Sequence, residues 1–91
     1  MDYRFRIVVT GKVQGVFFRK ITNEKALKLG LTGWVTNNSD GSVTFECQGI
    51  MEQCFQLIAW AQFGPPLSSP ENIQLTQIDL IEGESKFEIN N

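Results

Sequence analysis

The sequence predicts an α+β fold, an antiparallel sheet with two helices packed on one of its faces. Three observations predict it. Apolar and polar residues alternate with period two over Arg4–Val9 and Ser42–Gln48, as in strands with one buried face. Apolar residues recur at helical spacing over Phe18–Leu29 and Met51–Phe63. The elements run strand, helix, strand, strand, helix, strand, with a short terminal strand, the split β-α-β arrangement of ferredoxin-like folds. The 91 residues suit one domain, 1–91, able to bury roughly 60–65% of its unfolded surface.

In the first strand Phe5, Ile7 and Val9 alternate with Arg4, Arg6 and Val8. A loop from Gly11 to Val16 follows. The first helix presents Phe18, Ile21, Thr22, Ala26 and Leu29 on one face and ends at a left-handed Gly30. Leu31 to Thr36 is the second strand, with Trp34 expected in the core. Asn37-Asn38-Ser39-Asp40-Gly41 is dense in turn formers and reads as a hairpin loop. Val43, Phe45 and Cys47 form the apolar face of the third strand, which Gly49 is expected to break. The outer face then shows Arg4, Arg6, Thr44 and Glu46. The second helix carries Met51, Phe55, Ile58 and Gln62 along one stripe, flanked by Cys54, Leu57 and Ala61. Gly64-Pro65-Pro66 stops it, because proline cannot continue the ladder. Leu67 to Glu71 reads as loop and Ile73 to Ile81 as a strand with a bulge near Thr76. Glu82-Gly83-Glu84 turns the chain, and Phe87 and Ile89 mark the last strand.

Composition narrows the function. A net charge of −2 argues against a general nucleic-acid binder, which usually carries a basic face. Phe5 and Phe45 lie on the helix-facing side of the sheet, so the outer face lacks the rings that stack RNA bases. No segment is long and apolar enough to span a membrane, and no signal-peptide layout is visible, so a cytoplasmic protein is expected. The sequence contains no histidine, which removes histidine triads and most zinc sites. Cys47 and Cys54 lack metal-ligand spacing, and the carboxylates at 40, 82, 84 and 88 are scattered, so no metal is expected. Both cysteines are expected as reduced core thiols. No heptad pattern is present, and a monomer is expected.

Chemistry concentrates in the stretch from Thr10 to Arg19. A strand, a glycine turn and a helix start there aim several backbone N–H groups at one point, which suits an anion. Arg19 and Lys20 fall in the first helical turn, where cations oppose the macrodipole by about 0.3–1 kcal/mol each. A local rule broken beside a glycine loop points to an anion that offsets it. The phosphate-loop pattern ending Gly-Lys-Ser/Thr is absent, as is the dinucleotide pattern Gly-x-Gly-x-x-Gly. In the predicted topology the first and third strands are antiparallel neighbours. The end of the first, with Arg19 beyond it, therefore meets the start of the third, with Asn37 just before it.

Gly11-x-Val13-Gln14-Gly15-Val16-x-Phe18-Arg19 resembles the first motif of the acylphosphatase family. Gly33-Trp34-Val35-Thr36-Asn37, followed by Gly41-x-Val43 and Gly49, resembles the second, and the resemblance extends over nearly the whole chain. It implies hydrolysis of acyl phosphates to a carboxylate and inorganic phosphate, without metal or cofactor. Gln14, Gly15, Val16, Phe17, Phe18 and Arg19 would bind the substrate, with Arg19 on the phosphate. Asn37 would position the attacking water. Thr36 departs from the pattern, standing where the family mostly carries a long side chain.

Overall fold

In the computed structural model, which describes residues 1–90, the chain forms β1 (Asp2–Lys12), α1 (Phe18–Lys28), β2 (Thr32–Asn37), β3 (Val43–Ile50), α2 (Met51–Ala61), β4 (Ser69–Ile78) and β5 (Phe87–Ile89). The sheet order is β4-β1-β3-β2-β5, with β1 antiparallel to both β3 and β4, and β2 antiparallel to β3. This is the expected ferredoxin-like arrangement. The edge strand β5 differs, running parallel to β2 with Val35 opposite Ile89. Parallel neighbours need a crossover. Segment 79–86 supplies it, leaving the β4 edge and reaching the β5 edge across the face opposite the helices.

The core forms where both helices meet the sheet. Phe5, Ile7, Val9, Val35, Val43, Phe45 and Cys47 are buried beneath Phe18, Ala26, Cys54, Leu57, Ile58 and Ala61. In α1 the expected face holds, with Phe18, Thr22 and Ala26 buried and Gly30 left-handed at φ 72°. In α2 the expected stripe is rotated. Cys54, Leu57, Ile58 and Ala61 are buried, whereas Met51, Phe55 and Gln62 are exposed. Positions 54, 57, 58 and 61 repeat the spacing of one helical face, and their branched or small side chains fit closer to the sheet.

Four other expectations are corrected. Gly49 lies inside β3, opposite Tyr3, and does not break it. Strand β4 starts at Ser69, so residues expected as loop are paired. Its register shift lies at Glu71, the extra residue between Asn72 opposite Thr10 and Pro70 opposite Gly11, and not near Thr76. Trp34 is half-buried outside the core, on the face shared with Glu46 and Glu88.

The outer face is covered. Arg4 is fully buried and Glu46 nearly so, because the crossover lies over them. Arg4 donates from Nε to Glu46 Oε1 at 2.9 Å and from Nη1 to Glu84 Oε1 at 2.7 Å. Arg6 Nε donates to Glu46 Oε2 at 2.8 Å. Gln48 and Ile81 exchange two hydrogen bonds at 3.1 and 2.9 Å. Burial alone would lower the Arg4 pKa; the hydrogen bonds from Arg4 to Glu84 and Glu46 outweigh it and leave it raised. The network fixes the crossover, and the crossover delivers β5.

Candidate active site

Val9, Val43 and Asn37 form one row across the sheet, on β1, β3 and β2. The loop after β1 and the hairpin before β3 therefore rise from the same end. Because β5 runs parallel to β2, its last residues arrive there too, and Asn90 N–H donates to the Val35 carbonyl at 2.8 Å. A cavity of about 310 Å³ opens at this end, lined by Val13, Gly15, Phe17, Phe18, Arg19, Lys20, Asn37 and Ile89.

Two glycines shape the loop, for different reasons. Gly11 has φ 111°, and a Cβ there would run into the Ser69 carbonyl oxygen of the neighbouring strand. Gly15 has φ 73° with open space around it, so only its backbone conformation asks for glycine. Phe17 then takes the N-cap position of α1 in the left-handed region, φ 64° and ψ 18°. It is the one non-glycine residue with positive φ among the described residues. No side chain caps α1, and its first turn holds no acidic residue. The first intrahelical bond is Ile21 N–H to the Phe17 carbonyl at 3.1 Å. The helix thus opens onto the cavity with its positive end and with Arg19 and Lys20 in its first turn.

Arg19 is half-buried and donates from Nη1 to the Asn90 carbonyl at 2.8 Å, which holds the guanidinium against the end of β5. Asn37 ends β2 and owes its placement to the hairpin. There Asn38 Nδ2 donates to Ser42 Oγ at 2.9 Å and Thr44 Oγ1 at 2.7 Å. Asp40 Oδ1 accepts from the Ser42 hydroxyl at 2.6 Å and the Ser42 N–H at 2.9 Å. These two bonds hold the Asp40 carboxyl below its ordinary value. Thr36 Oγ1 donates back to the Asn37 carbonyl at 3.4 Å.

Of the residues expected to bind substrate, Gly15, Phe17, Phe18 and Arg19 line the cavity together with Asn37, while Gln14 and Val16 do not. Val16 is buried in the core. The Gln14 amide donates to the Asn38 and Ser42 carbonyls at 2.7 and 2.8 Å, tying the loop to the hairpin that carries Asn37. Phe18 packs into the core against Trp60, so it offers the cavity little beyond its backbone. Sequence reasoning missed Ile89 and the Asn90 carbonyl, because nothing in residues 87–90 announces a parallel partner. Among the described residues no cluster of three His, Cys, Asp or Glu could hold a metal ion, and no helix could cross a membrane.

Comparison with known proteins bears on the family and the fold. The family profile described as Acylphosphatase matches residues 5–89. The acylphosphatase of Thiobacillus denitrificans is 46% identical over 88% of both chains. That of Pelotomaculum thermopropionicum is 42% identical over 94% of both. The crystal structure of the Bacillus subtilis acylphosphatase superposes with a TM-score of 0.93 at 34% identity, each chain covered in full.

Proposed function

The chain belongs to the acylphosphatase family, and from that premise we propose that this cavity hydrolyses the carboxyl–phosphate bond of acyl phosphates. One observation carries the reading. A helix N-terminus that no side chain caps, Arg19 and Asn37 line a single cavity.

The chemistry follows from the groups. Loop and helix N–H groups from Gln14 to Arg19 receive the phosphate, and the Arg19 guanidinium adds a planar fork suited to two of its oxygens. The Asn37 amide holds a water through its carbonyl or its NH2. The water oxygen attacks phosphorus, and the bond from phosphorus to the bridging oxygen breaks. Its electron pair leaves on the carboxylate, and the water's proton passes to a phosphate oxygen. Neither Arg19 nor Asn37 is a general base at neutral pH. None is needed, because a carboxylate is a good leaving group; positioning and charge stabilisation suffice. The reaction as proposed uses neither metal nor cofactor, and inorganic phosphate is its second product.

The proposal extends to one domain acting as a monomer in the cytoplasm; the buried free thiols of Cys47 and Cys54 support a reducing compartment. Sedimentation at micromolar concentration checks the monomer. Hydrolysis of benzoyl phosphate in water labelled with heavy oxygen tests the chemistry. The label is expected in phosphate; label in benzoate would mean attack at the acyl carbon and would contradict the role given to Asn37.

A further inference from the structure

The cavity lining combines two unlike chemistries. Arg19, Lys20 and Asn37 give it charge and hydrogen-bonding groups, and Phe17 and Ile89 give it apolar surface beside them. Phe17 is 67% exposed and left-handed, two conditions that folding disfavours in an aromatic residue. Outliers of this kind gather at ligand clamps, where a partner makes use of them. Ile89 is 44% exposed and is carried to the same cavity by β5, whose placement depends on the crossover. A phosphoryl group fills only a minor part of about 310 Å³. The remainder must take whatever is attached to the phosphate.

We propose that Phe17 and Ile89 form an acyl subsite that selects acyl phosphates with an apolar, ring-sized acyl group over acetyl-sized or charged ones. The inference rests on the reading of this cavity as an acyl phosphate site. A phosphate held at the start of α1 leaves its acyl group one bridging oxygen away, beside the residue that caps the helix. That residue is Phe17. Its ring offers a face for offset stacking, and the Ile89 side chain offers a second apolar wall. Lys20 is the one cation lining the cavity besides Arg19, so a carboxylate-bearing acyl group is the competing substrate class.

Titration calorimetry with benzylphosphonate, methylphosphonate and 3-phosphonopropionate tests the subsite without requiring turnover. The native protein is expected to bind the benzyl compound about tenfold more tightly than the methyl one. That ratio should fall to about twofold in Phe17→Gly, whose glycine suits the left-handed backbone, and shrink in Ile89→Ala. Equal affinities in the native protein, tighter binding of 3-phosphonopropionate, or a ratio that survives both substitutions would overturn the inference. A benzyl preference lost in Phe17→Gly, in a protein that hydrolyses no acyl phosphate, would support the subsite while contradicting the proposed reaction.

Discussion

Arg19 sits in the first turn of α1, where a cation costs stability, and its guanidinium is already oriented by the Asn90 carbonyl. Replacing it with lysine keeps the charge and loses the fork. Turnover of acyl phosphates should fall about 10²–10³-fold, while stability stays within about 1 kcal/mol because lysine keeps the charge at a half-buried position that the helix dipole already disfavours. A steep loss in urea denaturation would make Arg19 structural. Asn37→Ala should lower kcat by up to about 10²-fold and move the inhibition constant for phosphate by less than about threefold. An effect on affinity alone would remove the water-positioning role. Phe17→Gly relieves a left-handed aromatic residue, about 1–2 kcal/mol, against about 0.5–1 kcal/mol of added chain entropy. The variant should therefore be as stable as the native protein or more so, read as an unchanged or raised Tm. That Arg19 and the glycine loop share one cavity was legible from local signals, glycine spacing and a cation at a helix start, whereas Asn37 came to it only through the expected strand order. The tie from Gln14 to the hairpin was not, since it joins residues more than twenty positions apart.

Among the elements, the crossover 79–86 has the longest reach. It carries β5 to the cavity and is held by charges buried under it. Glu46 serves both Arg4 and Arg6, so Glu46→Ala should cost about 1–3 kcal/mol by leaving the buried Arg4 Nε without its acceptor, while Glu84 and Gln48 still hold the Arg4 Nη atoms. The triple variant Arg4→Met/Glu46→Leu/Glu84→Gln, which removes all three buried or partly buried charges together, should recover at least about half of that loss. Equal losses in urea denaturation would show that the charges themselves hold the crossover. The hairpin has its own pH response. Asp40 has a depressed pKa, so its hydrogen bonds from Ser42 contribute fully above the unfolded value of about 3.9 and are lost as pH falls through the folded value. Amide shifts of residues 38–42 should titrate with a midpoint below 3.9 (an ordinary carboxylate, about 3.9) and stay flat near neutrality. Period-two alternation revealed β1 and β3 but not that their outer face is covered. Arg4 and Glu46 look like surface charges in sequence because the segment that buries them is a loop with no periodicity.

For the molecule as a whole, the order of elements and the alternation of apolar residues were enough to give the four antiparallel strands and two helices. The parallel β5 lay beyond them, because three residues carry no directional signal. Cys47 and Cys54 report on this whole. Both are completely buried, and the Cys47 thiol is pushed up by its hydrogen bond with Cys54 and by burial. Thiol reagents should label them only as fast as the core opens, with the rate rising in step with destabilising substitutions such as Glu46→Ala. The role proposed for the loop ending in Arg19 is acyl phosphate hydrolysis without metal. Phosphate release from benzoyl phosphate at neutral pH with excess EDTA, for the native protein and Arg19→Ala, tests it most directly. EDTA-resistant release that the substitution abolishes, with an aryl phosphate monoester left intact, is the predicted result. Release that EDTA stops, or that survives Arg19→Ala, would rule that role out.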